Sequence, residues 1–312
     1  MAVSELACYS ESMARPEYRE MLVKSALNKV QGMPFKWSLN PYRGCVHSCH
    51  YCYARATHTF LDLDVAQDFT GIIFAKTNLP EVLAAELGKR NWHRESVAFG
   101  TATDPYQPAE GRFRITRRCL EVMARYRTPT SLVTKGTLAV RDIDALQELG
   151  SRAGATVCFS VPSVDTDVWR RVEPGTAPPR QRLRAMERLV GAGVNAGVLM
   201  APLLPDISAT PERIRATVQA AADHGAQFIG VRVLYLEPSV RDYFMEFVGR
   251  DYPDLWENYQ RLYPEGRKYG SKPLAGLIEE RVRDAKSELG FADGPHYRPV
   301  QEAETTRQLT LL

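Results

Sequence analysis

No apolar run in this sequence approaches the roughly 18 residues that a membrane-spanning helix needs, so that class of protein is excluded. The first twenty residues, MAVSELACYSESMARPEYRE, carry acids and lack the apolar centre of a secretion signal, and a cytoplasmic location is expected. An excess of one charge is missing too. Forty Lys and Arg stand against 37 Asp and Glu, a formal net charge of +3. That mild basicity permits a nucleic-acid partner without requiring one. Internal repeats and low-complexity blocks are absent, which leaves no reason to expect a solenoid or a long linker. Cysteine is scarce: there are six, and Cys8, Cys119 and Cys158 stand alone. In a cytoplasmic chain this argues against a disulfide framework.

What is present is an alternation of short apolar runs with amphipathic segments. The strand-like runs are FKWSLN (35–40), GIIFAK (71–76), SVAFGT (96–101), TSLVTKG (130–136), ATVCFSV (155–161), NAGVLMAP (195–202) and FIGVRVLY (228–235). Helical spacing appears between them, as at Leu183, Met186 and Leu189, or after the capping pair Thr210-Pro211. Strand–helix alternation over some 200 residues predicts an α/β fold with parallel strands and right-handed crossovers. Open sheet and barrel both satisfy that pattern. The expected organisation is a polar, partly helical N-terminal extension (1–34), an α/β body (35–236), a C-terminal helical cap (237–300) and a tail (301–312).

The three remaining cysteines sit in NPYRGCVHSCHYCYARATH (40–58), as Cys45, Cys49 and Cys52. Seven residues span at most roughly 25 Å extended, so the loop must curl for the thiols to share a metal centre. Soft thiolates favour zinc or an iron–sulfur cluster over magnesium or calcium. Zinc needs a fourth ligand, which His47 or His50 could offer from within the loop. The second ligand pair of a usual zinc site, CxxC or HxxxH, occurs nowhere else. Arg43 and Arg55 flank the loop as tuners of a bound cluster, contacts for an anion, or simply solvated charges.

C-x3-C-x2-C with an aromatic, Tyr51, before the last cysteine resembles the signature of radical S-adenosylmethionine (SAM) enzymes. The further stretches GTATDPYQPAEG (100–111), TKGTLAVRDID (134–144) and Glu173-Pro174 resemble the spore photoproduct lyase-like, "DNA repair photolyase" branch, in particular actinobacterial-type members, across about 33–290. The resemblance implies a partial (β/α)6 TIM-like barrel with a C-terminal helical extension. It implies a [4Fe–4S] cluster on Cys45, Cys49 and Cys52, one iron being left for SAM to chelate. Reductive cleavage of SAM would give a 5′-deoxyadenosyl radical that takes hydrogen from a substrate. A one-electron donor such as flavodoxin or ferredoxin is the implied partner.

Thr103, Lys135 and Ser160 match the positions that, in that family, hold the methionine moiety of SAM. An ammonium in a barrel mouth needs an anion, and for Lys135 this is the SAM carboxylate or a neighbouring acid such as Asp142 or Asp144. Thr103 and Ser160 could equally cap or edge a strand. Tyr51 could lean on adenine, and Glu173 could bind a ribose hydroxyl or lie on the surface. One departure stands out. The family's hydrogen-donating cysteine after the second strand is replaced by Thr101, so thymine-dimer repair does not carry over. Cys158 and Tyr106 are the candidates to quench a substrate radical, while Cys119 reads as core. The expected substrate is DNA, RNA or a nucleotide. The alternatives are a small metabolite or peptide substrate, or a non-enzymatic, metal-stabilised nucleic-acid-binding module.

Overall fold

Short β-branched and aromatic runs become strands where they find a neighbour to pair with and a helical layer to cover one face. The computed structural model describes residues 15–293 except 32 and 34. In chain order its strands are β1 (Glu17–Met21), β2 (Asn28–Lys29), β3 (Trp37–Leu39), β4 (Tyr42–Arg43), β5 (Ile72–Lys76), β6 (Val97–Phe99), β7 (Thr130–Thr134), β8 (Ala155–Ser160), β9 (Asn195–Leu203) and β10 (Ile229–Val233). Strands β3, β6, β7, β8, β9 and β10 pair in parallel and strictly in chain order, with β2 antiparallel on the edge of β3. A doubly wound sheet reverses its order partway. This one never does, so it wraps in one direction as a partial (β/α)6 barrel.

Five helices return the chain between successive barrel strands: Leu79–Leu87, Ile115–Arg125, Ile143–Arg152, Pro179–Gly191 and Pro211–Asp223. Their apolar stripes, among them Leu146, Leu149, Leu183, Met186, Ile214 and Val218, join Val97, Phe99, Leu132, Val157, Phe159 and Val198 in one core. Each such side chain contributes about 1.5–3 kcal/mol by leaving water. Cys119 lies in this core, fully buried. Alternation along the strands sends Ser131, Thr156, Cys158, Asn195 and Gly197 to the opposite, concave face, where β7, β8 and β9 hold them in register. The same face carries Val133 beside Cys158 and Leu199 beside Ser160, and Phe228 packs where a Gly197 side chain would lie.

Three expectations need correction. GIIFAK forms a strand, β5, but outside the barrel: it sits between β1 and β4 in a small separate sheet. The N-terminal extension, expected to be partly helical, supplies β1 and β2 instead. Glu17–Met21 pairs along the whole length of β5, and Tyr18 packs edge-on against Phe113 at 6.0 Å, so tertiary pairing overrides local propensity. The C-terminal helices form as expected but divide. Pro238–Asp251 and Trp256–Leu262 pack over the strand ends through Phe244, Phe247 and Tyr259. Helix Lys272–Glu288 instead joins the outer core through Ile278, Val282 and Ala285, as the barrel's outer cover beside β10. The expected tail, 301–312, lies outside the described residues. No described helix is long and apolar enough to cross a membrane.

Candidate functional site

The cysteine loop crosses the C-terminal ends of the barrel strands, where parallel α/β folds place their chemistry. Two glycines let it fit. Gly44 turns with φ +82°, and a Cβ there would lie 2.7 Å from the Ile72 carbonyl oxygen. Gly175 lets a second turn close beneath the loop: its N–H donates to the His47 carbonyl at 3.1 Å, and a Cβ would collide with the Val46 carbonyl. The Cys45 N–H donates to Phe69 O at 3.0 Å. From the loop after β6, the Thr103 hydroxyl donates to Gly44 O at 2.7 Å. Gln107 clamps the same segment, with Nε2 donating to Gly44 O at 3.0 Å and Oε1 accepting from the Val46 N–H at 3.2 Å.

Cys45 and Cys49 are buried, Cys52 is half-buried, and all three thiols are free. Cys52 packs against both apolar clusters that contain the other two. Burial pushes the Cys49 and Cys52 thiols up, against the pull of Lys135 and Arg55 respectively, so they keep their protons until a cation displaces them. Both loop histidines are held through Nδ1. His47 Nδ1 pairs with Asp104 at 3.2 Å, while His50 stacks on Phe247 at 4.2 Å and hydrogen-bonds Tyr243 at 2.9 Å. Among the described residues no three His, Cys, Asp or Glu side chains converge on a single-ion site. Three soft donors in one short loop suit a cluster with an open coordination position.

Beside the thiols, two cations share one buried carboxylate. Glu173 is 3% exposed, not a surface carboxylate. It accepts from the Tyr51 hydroxyl, pairs with Arg182 at 2.6 Å and faces the Lys135 ammonium at 3.8 Å. Burial works to raise its carboxyl, but Arg182 and Lys135 outweigh it and hold the carboxyl below its ordinary range. Lys135 also lies 5.6 Å from the Tyr51 ring centre. It does not reach Asp142 or Asp144, which pair with Arg117 at 3.2 and 2.6 Å. Asp104 fixes the backbone of Lys135 by accepting its N–H at 2.6 Å.

Lys135 and Ser160 follow the last paired residues of β7 and β8 side by side, and Ser160 donates to Ala201 O at 2.8 Å. Cys158 shares their face, and burial pushes its thiol up to about 12, so it keeps its S–H. Tyr106 is not brought to this face: it packs in the core on the helix side, where burial and then the charges of Asp142 and Glu110 raise its hydroxyl. Arg182 and Gln107 were not recognised in the sequence. The signal for Arg182 was its place on one helical stripe with Met186 and Leu189. At the mouth, exposed Tyr53 and Tyr269 flank half-buried Tyr235, one edge-on and one tilted, with ring centres 5.9 and 5.0 Å apart. The Lys268 ammonium lies 5.9 Å from the Tyr235 ring.

Residues 39–209 match the pattern of the Radical SAM superfamily. An uncharacterized protein of Mycobacterium tuberculosis is 38% identical over 290 residues, 92% of this chain and 85% of that one. An uncharacterized protein of Methanocaldococcus jannaschii is 23% identical over 242 residues, 77% and 86% of the two chains. Among solved structures, a spore photoproduct lyase mutant superposes with a TM-score of 0.68 at 19% identity, covering 88% of this chain and 80% of the other. Another mutant of that lyase, with bound AdoMet and dinucleoside spore photoproduct, gives a TM-score of 0.64 at 17% identity, covering 86% and 79%.

Proposed function

Because this chain belongs to the radical SAM superfamily, we propose that Cys45, Cys49 and Cys52 hold a [4Fe–4S] cluster at which SAM is reductively cleaved, and that the substrate is DNA, RNA or a nucleotide. When bound, the cluster and SAM supply a 5′-deoxyadenosyl radical that takes a hydrogen atom from the substrate. The observation that carries the reading is the meeting of three free thiols, two of them buried, with the Lys135 ammonium at the open end of the barrel. Lys135 offers its charge to the methionine carboxylate, with Ser160 beside it and the Tyr51 ring at its back. Thr103 stiffens the loop from below while lining the same space. Glu173 joins the SAM site through Tyr51 and Lys135. On the concave face Cys158 keeps an S–H bond weak enough to return a hydrogen atom to a substrate radical, which the Thr101 hydroxyl cannot do.

The exposed rings of Tyr53 and Tyr269 at the mouth support the nucleic-acid reading over a peptide or small metabolite. Exposed aromatic faces suit planar bases, and each stacked base contributes about 1–3 kcal/mol. A cytoplasmic setting with a flavodoxin or ferredoxin as electron donor suits such a cluster. The test is deuterium transfer. Reduced, reconstituted protein incubated with SAM and a sugar- and base-deuterated oligonucleotide should yield deuterated 5′-deoxyadenosine faster than protein alone. Stimulation by peptides or metabolites but by no nucleic acid or nucleotide would overturn the substrate assignment and leave the chemistry standing.

A further inference from the structure

Arg55 begins the turn that follows Cys52 and folds back beneath the cysteine loop. It is fully buried. Its Nε donates to the Cys49 carbonyl at 3.1 Å, and Nη1 donates to the Val65 and Ala66 carbonyls, each at 2.9 Å. The remaining nitrogen, Nη2, is buried and makes no hydrogen bond. Rings close in on the guanidinium, Tyr243 at 4.3 Å and Phe69 at 5.3 Å. Among the described residues, no Asp or Glu forms an ion pair with it.

Carbonyl dipoles and ring faces solvate a cation but do not neutralise it. Arginine cannot escape by losing its proton, as a buried lysine can. A buried ion with no counter-ion is strongly unfavourable, so the arrangement calls for an anion that the described side chains do not supply. Complete burial rules out a dissolved substrate as that anion. The neighbouring cysteine loop supplies one when its thiols give up their protons to bind metal, since a thiolate-ligated cluster is a net anion and more so once reduced.

We infer that the Arg55 guanidinium is the fixed counter-charge of the thiolate-bound cluster, a positioning residue that holds the Cys49 segment and makes the cluster easier to reduce. This rests on the reading that the loop holds an iron–sulfur cluster. Lys135 does not take this role: it shares the Glu173 carboxylate with Arg182, and its remaining charge is assigned to the methionine carboxylate of SAM. The cation lies beside the loop in both oxidation states, and the reduced cluster carries the greater negative charge. Its attraction therefore favours reduction, the direction in which charge and hydrogen bonding move such potentials.

The experiment compares anaerobically reconstituted wild type, Arg55→Gln and Arg55→Lys by iron content and by redox titration of the cluster's absorbance and electron paramagnetic resonance signal. The expected result is full loading of wild type and Arg55→Lys at similar midpoint potentials, with a distinctly more negative midpoint in Arg55→Gln. Loss of iron from Arg55→Gln alone, with Arg55→Lys loaded, would equally support a required charge. Coincident potentials in wild type and Arg55→Gln would overturn the inference while leaving the cluster in place. Loss of iron from both variants would assign Arg55 a purely structural job and overturn it too. A wild type that binds no iron would sink the cluster reading itself, and this inference with it.

Discussion

The two sides of the cysteine loop hold their buried charge in opposite ways. On the barrel side, Lys135 and Arg182 share the carboxylate of Glu173, which also accepts the Tyr51 hydroxyl. On the far side, Arg55 is surrounded by carbonyls and rings with no carboxylate. Lys76, at the end of β5, shows what a buried ammonium does without an anion. It donates only to the Asn40 carbonyl, at 2.8 Å, and burial, reinforced by Arg43, lowers its pKa to about 8. Arginine has no such exit. The difference separates charges that share a carboxylate within the protein from a charge that has none among the described residues and anticipates a cofactor.

Removing the shared carboxylate should break the barrel side most severely. Glu173→Ala leaves Lys135 and Arg182 facing each other unpaired, and about 3–5 kcal/mol of stability should disappear in urea unfolding of the metal-free protein. A loss below about 1 kcal/mol would show that solvent already screens the network. Next in size is Lys135→Ala. If the ammonium pairs with the methionine carboxylate, SAM affinity should fall by about 2–3 kcal/mol, roughly 30- to 150-fold, with iron content unchanged. An unaltered dissociation constant by titration calorimetry would make Lys135 a partner of Glu173 alone. The smallest effect concerns Lys76. Its folded pKa lies below the unfolded value of 10.5, so the unfolded chain binds the proton more readily between about 8 and 10.5. This group therefore adds stability as pH rises through that window and penalises the fold fully below it. Compared with Lys76→Met, wild type should gain ground from pH 8 to pH 10; a constant gap across that range would contradict the assignment.

How much of this was legible in the sequence follows from how local each feature is. Cysteine spacing sets a ligand loop within eight residues, so Cys45, Cys49 and Cys52 could be read directly. Lys135 and Ser160 could be placed because each ends a recognisable apolar run. Strand alternation also put Cys158 on the face of Ser160. The direction in which the sheet wraps could not be read, because it depends on which strands become neighbours. Glu173 looked equally like a surface carboxylate, since its partners Tyr51, Lys135 and Arg182 come from three separate segments. Arg182 was not singled out, although it lies on the buried stripe of its helix. Arg55 was visible as a charge near the cluster, but its lack of a carboxylate partner is a property of the folded surroundings alone. The N-terminal strand β1 was missed because its charged sequence favours pairing only once β5 is there to receive it.

The central claim is that the three thiols hold a redox cluster that cleaves SAM, and one measurement meets it head-on. Protein reconstituted without oxygen should hold about four irons and four sulfides per chain. After reduction it should convert SAM to 5′-deoxyadenosine and methionine, and Cys45→Ala, Cys49→Ala or Cys52→Ala should abolish both properties while Cys119→Ala keeps them. Stoichiometric zinc in place of iron, with no 5′-deoxyadenosine formed, would contradict the account and favour a metal-stabilised nucleic-acid-binding module.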